Sequence, residues 1–471
     1  MDSISHLWDQ SQLGQVDRGN QQSRPIIPLS NLSGQSMVPS RQHLSLPGPE
    51  RFSPGLISRG NISFDTTGSA STTLSPPSFR NILAHTPNPR RQRTIGPTDP
   101  VIDELSHRPL EQEEIDLLTY YRYQIAPRLD LGVGDSYFSV RALHRAEHVP
   151  TLYQSILALS SLSYRAGNGT TINDYASHAK QTMLLADEED RSTATILLAV
   201  RDIILTPPRY WQVRLATLQR NPSLTYSRLL EGHWHVMARL TLAAHLAGSP
   251  LSEPVDLSFI FQGATPVLPG QLLTHKQQLR QSFSNLARAL TVSSNELNKA
   301  RNTRRLPFTA AWQSCWSDNQ LWYAARNEEM QQILEMENFE TSPAKGPGAP
   351  FPIVIFSNTC ALVATLVHHL TALYLLHNKP RLTRPVAEIG SSNSAVWHAQ
   401  RVVGIVAAFM EAEILDPFVV AAVLYAAKRL SHASQLAVVV NILRRASQST
   451  GIPLQDEINN LETTHHTTDV S

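Results

Sequence analysis

This chain of 471 residues predicts an all-α protein in which a multi-helix domain follows a long disordered arm. Three observations carry that expectation. Beyond position 100, apolar residues recur three and four apart, the period of a helix with one buried face. Strand-like alternation is confined to Phe351 to Phe356. The first hundred residues hold 12 of the 31 prolines and 16 serines, no lysine and no apolar periodicity, so they cannot bury enough surface to offset their ordering entropy. Met1 to about Thr98 is therefore read as a disordered Ser/Pro-rich arm over residues 1–100, with a helical domain over 101–465.

The elements follow in order. Glu111 to Tyr123 alternates acidic and apolar residues at helical spacing. Leu152, Ile156 and Leu159 stand at i, i+4 and i+7, a helix with one buried face. Ser192 to Leu205 is an apolar helix stopped by Pro207 and Pro208. Leu224 to Leu246 makes one or two helices ending at Gly248-Ser249-Pro250. Val255 to Pro269, with proline and glycine at short intervals, reads as a loop. Leu272 to Arg301 is a polar amphipathic helix, and Phe308 to Glu337 another, with Trp312, Trp316 and Trp322 on its buried stripe. Thr341 to Pro350 (TSPAKGPGAP) is a linker. A long apolar helix then covers Thr359 to Leu376, and Leu436, Val439, Val440 and Leu443 mark a last buried stripe.

Composition excludes several classes. A net charge of +1 gives no global field to attract nucleic acid or membrane. Two cysteines, Cys315 and Cys360, build neither a disulfide framework nor a cysteine-rich zinc site. The start MDSISHLWDQ has no charged region followed by an apolar one, so no signal peptide is expected. Thr359 to Leu376 approaches the length of a membrane span, but the paired His368 and His369 at its centre are costly in hydrocarbon. It reads as a core helix.

Several motifs name chemistry. His144-Arg145-Ala146-Glu147-His148 matches the H-x-x-E-H of inverted zincins, where two histidines bind zinc and the glutamate is general base. Pro150 disfavours helix at Val149, and no downstream glutamate helix pairs with it, so a polar helix end is the preferred reading. Ser177-His178-Ala179-Lys180 and Ser317-Asp318-Asn319 match S-x-x-K and S-D-N, yet there is no K-T-G and no sheet for such a site. His233-Trp234-His235 and His368-His369 are candidate ligands. Neighbours on a helix point about 100° apart, so each pair is expected to place at most one histidine inward. Packed or capping histidines are the expectation, and no metal or cofactor is assigned. Arg90, Arg91 and Arg93 form a basic cluster in the arm that suits nuclear import or a phosphate contact, and Arg301 to Arg305 form a second.

Pro350 to Leu382 (PFPIVIFSNTCALVATLVHHLTALYLLHNKPRL), Trp397 to Gly404 (WHAQRVVG), Asp416-Pro417-Phe418 and KRLSHASQLAVVVNILRRASQSTG occur in that order. Upstream stand Tyr120-Tyr121, Ala126-Pro127, Leu129-Asp130 and Tyr137-Phe138, then Val149-Pro150 with Ile156 to Ser160. Together they resemble the helical regulatory domain of fungal zinc-cluster transcription factors of the arginine-catabolism-regulator type, from about Asp103 to Leu461. Gly451-Ile452 stands where that family has a glycine and a tryptophan, and two cysteines cannot form its six-cysteine DNA-binding cluster.

The resemblance implies a nuclear, non-enzymatic transcription regulator of a secondary-metabolite or catabolic gene cluster. It would work with other regulators or a homo- or heterodimer partner, touch DNA only indirectly or weakly, and need no cofactor or membrane. The alternatives are a zinc hydrolase using His144, Glu147 and His148, and a helical scaffold without a role in transcription.

Overall fold

In the computed structural model, residues 110–468 are described, apart from 133–135, 165–171, 221–228, 249–254, 262–272, 298–307, 337–349, 382–392 and 412–415. The Ser/Pro-rich arm with Arg90, Arg91 and Arg93, the Arg301 to Arg305 patch and almost all of the Thr341 to Pro350 linker lie outside the described residues.

The domain is all-α, as its sequence period requires. Helix α1 (Gln112–Tyr120) opens on Glu111, whose backbone N–H donates to the Glu114 carboxylate at 3.1 Å. The regular ladder does not run on to Tyr123 as expected. Pro127 offers no N–H to the carbonyl four residues back. The chain widens into a π turn over Tyr121–Ile125 and closes with one short turn, α2 (Ala126–Leu129). A second π turn (Tyr137–Arg141) leads into α3 (Ala142–Ala146).

Helices α4 (Pro150–Tyr164), α5 (Ile172–Thr182) and α6 (Glu188–Ile204) form one layer, with α4 packed on α1, α5 and α6. Leu152, Ile156 and Leu159 are buried as their spacing demands. Pro207 and Pro208 stop α6, but a further helix, α7 (Trp211–Gln219), follows at once. The Trp211 indole donates to the carbonyls of Ile203 and Thr206 at 2.9 and 2.7 Å, which pins the start of α7 to the end of α6.

Helix α8 (Glu231–Ala247) is buried on every side, and so is α14 (Pro417–Ala427), which packs along it. The valines of α14 have poor helix propensity, and tertiary burial overrides it. Asp416 caps this helix by accepting from Val419 N at 2.9 Å, and Pro417 pre-sets its first turn.

A second group comprises α9 (Ser258–Phe261), α10 (His275–Leu297), α11 (Phe308–Ala324), α12 (Thr359–His377) and α13 (Ala395–Glu411), with α12 packed on α10, α11 and α13. Asn358 caps α12 by accepting from Ala361 N at 2.8 Å. Trp312, Trp316 and Trp322 are all buried, as their stripe predicts.

The helix expected over Phe308 to Glu337 is half right. It ends at Ala324, and Gln332–Met336 forms strand β1. Strand β2 (Ile353–Phe356) would otherwise expose its backbone groups, and β1 satisfies them antiparallel, with Leu334 opposite Ile355 and Met336 opposite Ile353. Helices α15 (Ala433–Thr450) and α16 (Gln455–Thr468) close the domain. Gly451, at φ 82°, is the left-handed residue that ends α15, and the following Ile452 is fully buried.

Leu366 is 0% exposed at the centre of α12, whereas Leu321 on α11 is 64% exposed. Leu366→Asp therefore places an uncompensated charge in the core and should cost several kcal/mol in urea unfolding. Leu321→Asp should leave the midpoint nearly unchanged. Equal midpoints for both variants would contradict the burial of α12.

Candidate functional site

A buried polar junction centres on Arg239, which is only 3% exposed in the middle of α8. Its Nη1 donates to Asp416 Oδ2 at 2.6 Å and to the Arg128 carbonyl at 3.0 Å, and its Nη2 donates to the Leu129 carbonyl at 2.7 Å. Each contact has a local cause. The carbonyls of Arg128 and Leu129 stand in the last turn of α2, where the helical ladder runs out. Asp416 is already fixed as the cap of α14. One guanidinium thus ties α2, α8 and α14 across separations of 110 and 177 residues. Burial holds the Arg239 guanidinium below its ordinary pKa, opposed by the charges of Asp416 and Asp130.

A pocket opens beside this junction, with about 540 Å³ of atom-free space including its mouth. Its walls are three i, i+4 pairs: Ile125 and Leu129, Val200 and Ile204 on α6, Val236 and Leu240 on α8. Its ionisable lining is Arg128, Arg239 and Asp416. Arg239 and Asp416 are buried, while Arg128 and Ile204 are half-buried and mark the solvent side. Arg128 Nη1 donates to the Ser449 carbonyl at 3.1 Å, which orients that side chain from α15. The sequence reading missed this site, because its charged members lie far apart in the chain; the π turn at Tyr121–Ile125 is the one local irregularity beside it.

The motif residues are placed as follows. His144 is exposed on α3, which ends at Ala146, so Glu147 and His148 lie beyond the helix and are exposed as well. The i, i+4 face that zinc would need is not formed. What this motif builds instead centres on Arg145, which binds Asp190 through two nitrogens at 2.5 and 2.7 Å and Asp187 at 2.8 Å, docking α3 on the acidic start of α6. Asp318 pairs with Arg288 at 2.6 Å, and Asn319 donates to the His368 carbonyl at 3.3 Å, which commits both to packing α11 against α10 and α12. No group of three or more His, Cys, Asp or Glu side chains among the described residues is arranged to hold a metal.

The expectation of one inward histidine per pair needs correcting. His233, His235, His368 and His369 are all buried, because α8 and α12 are enclosed on every side. His233 Nε2 meets Thr193 Oγ1 at 2.9 Å, and His235 Nε2 meets Glu231 Oε1 at 3.1 Å. His369 Nδ1 lies 2.9 Å from Nδ1 of His398 on α13. Two neutral rings satisfy that contact when one carries its proton on Nδ1 and the other does not. Tyr323 stacks on His368 at 4.1 Å between ring centres, and Arg326 lies 3.6 Å from the centre of the Tyr323 ring. Burial first, and then repulsion from a second protonated histidine of the cluster or from the nearby Arg326 guanidinium, hold His368 and His369 well below the ordinary histidine value.

In comparisons with known proteins, no family model, curated protein or solved structure matches this chain.

The junction at Arg239 can be tested by substitution. Asp416→Ala strands the buried Arg239 and removes a helix cap, so it should cost about 3–5 kcal/mol in urea unfolding. Asp416→Asn keeps a side chain suited to capping and should cost less. Equal losses would show that the cap and the ion pair are not separate contributions.

The buried histidines tie stability to pH. Burial holds His233 down at about 4, and it also lowers His235, His245, His368 and His369. The unfolded chain binds protons at these side chains below about 6.5, while the folded one does not. Stability is therefore full above about pH 6.5 and falls as the pH drops below it, levelling for His233 near 4. Thermal midpoints between about pH 8 and pH 5 should decline on the acid side, with a shallower slope in His233→Gln. A midpoint that rises on acidification would contradict the burial of the neutral rings.

Proposed function

We propose that this chain is a transcription regulator whose helical domain acts through a partner that reads DNA. The observation that supports this reading is the order of the family-like blocks, together with where they fall in the fold. The Pro350 to Leu382 block supplies β2 and α12, the WHAQRVVG block lies in α13, Asp416-Pro417-Phe418 begins α14, and the last block supplies α15. Successive members of this series pack on one another, α12 on α13, α13 on α14 and α14 on α15. The blocks are thus the spine of one core rather than scattered surface matches.

The rest of the reading follows from charge and composition. With two cysteines the chain cannot build a six-cysteine zinc cluster, and a net charge of +1 gives no general attraction to DNA, so the proposal assigns sequence recognition to a partner regulator or to a homo- or heterodimer partner. Control of a secondary-metabolite or catabolic gene cluster, nuclear residence through Arg90, Arg91 and Arg93, and the absence of catalysis belong to the same proposal. The zinc-hydrolase alternative is disfavoured by the placement of Glu147 and His148 beyond the end of α3.

A fluorescent fusion of the whole chain should accumulate in nuclei, and Arg90→Ala, Arg91→Ala and Arg93→Ala together should reduce that share. Fused to a heterologous DNA-binding module, the chain should change reporter output from its cognate sites. Exclusion of the parent fusion from nuclei, or an inert tethered chain, would sink the regulatory reading. The purified chain should not distinguish promoter from scrambled duplex in a gel shift at physiological salt; nanomolar discrimination would reveal a reading element on the chain itself.

A further inference from the structure

We propose that Ser431 is a phosphorylation site for a serine kinase that selects basic substrates. The sequence Lys/Arg-Arg-x-Ser occurs twice, as Lys428-Arg429-Leu430-Ser431 and as Arg444-Arg445-Ala446-Ser447. A kinase of this class reads an extended substrate, and carboxylates along its groove pair with the cations three and two residues before the serine. An extended chain sets a residue about 10 Å from its third neighbour, whereas an α-helix sets the two about 5 Å apart on one side. The two matches are alike in sequence, so only their settings in the fold separate them.

Ser447 is the poorer substrate. It lies inside α15, half-buried, and its hydroxyl donates to the Ile452 carbonyl at 2.7 Å. Arg444, three residues before it, is paired with Glu462 on α16. Modification there requires the last turns of a helix to unwind. Ser431 instead stands in the short connection between α14, which ends at Ala427, and α15, which begins at Ala433. Lys428 and Ser431 are exposed, as are His432, Ala433 and Ser434 beyond them, and Arg429 is half-buried. No acidic residue lies between Asp416 and Asp456, and neither Lys428 nor Arg429 makes an ion pair with a described residue. Both cations are thus available to a kinase groove. Leu430 is the one buried residue of the connection, so a kinase needs to lift one side chain rather than open a helix.

In the transfer, Ser431 Oγ attacks the γ-phosphorus of a magnesium-bound nucleoside triphosphate. The bond from that phosphorus to the β,γ-bridging oxygen breaks, the nucleoside diphosphate leaves, and the hydroxyl proton passes to the kinase's base. The phosphate adds about two negative charges beside Lys428 and Arg429, so the connection changes from basic to nearly neutral.

The inference stands apart from the regulatory proposal. The purified full chain is incubated with magnesium, ATP and the catalytic subunit of a cyclic-nucleotide-dependent kinase, which selects basic residues at these positions, and each serine is quantified by mass spectrometry. Peptides spanning 425–435 and 441–451 serve as unfolded references and should react at similar rates. In the full chain, kcat/KM at Ser431 should exceed that at Ser447 by at least about tenfold. Lys428→Gln and Arg429→Gln should each lower the Ser431 rate by about tenfold and leave Ser447 unchanged. Lys428 is exposed, so its variant keeps the test decisive if Arg429→Gln does not fold. No phosphate on Ser431 in the full chain would overturn the proposal. So would equal modification of the two serines in the folded chain, or a Ser431 rate untouched by both substitutions.

Discussion

Three distant parts of the chain depend on one buried guanidinium. Arg239 satisfies the terminal carbonyls of α2 and pairs with the aspartate that caps α14, so an N-terminal turn, a central helix and a C-terminal helix share one polar junction. Taking a charge that far from water is unfavourable, and the cost is offset only when its donors meet acceptors at good distance. Here they meet two backbone carbonyls and a carboxylate within 3.0 Å. The junction is directional in a way that apolar packing is not. It specifies where α2 stops and where α14 starts, and with them the pocket between α2, α6, α8 and α14.

The same logic governs the rest of the interior. Helices enclosed on every side must hide their polar side chains, and many do so within their own turn. Ser155, Ser160 and Thr371 donate to the carbonyls four residues earlier, at 2.8, 2.8 and 2.7 Å. Of the buried histidines, His235 finds Glu231 within its own helix, while others take a partner from another element. His233 finds Thr193 on α6, and His369 finds His398 on α13. Keeping these rings neutral ties the fold to pH, because each is easier to protonate once released.

The functional reading and the pocket draw on different parts of this architecture. The family-like blocks form the consecutive spine α12 to α15, whereas the pocket walls come from α6, α8 and the π turn near the N-terminal end of the domain. They meet at Asp416 and Pro417, which start α14, and at Thr450, which ends α15, all of which line the pocket.

The sequence by itself determined the helical class, because a period of three to four residues leaves a chain one way to bury its apolar face. It placed α4, α12 and α15, where buried residues such as Ile156, Leu366 and Val439 repeat at helical spacing. It also located β2, the tryptophan stripe and the stop after α6. Other features only the tertiary structure decided. Strand β1 exists because β2 needed a backbone partner, which the local pattern of Gln332 to Met336 does not announce. The all-round burial of α8 and α12 turned both histidines of each pair inward, since what surrounds a helix is not written in its own period. The junction at Arg239 was invisible for the same reason: its acceptors lie 110 and 177 residues away, and hydrogen bonds between such distant groups leave no spacing in the chain to read.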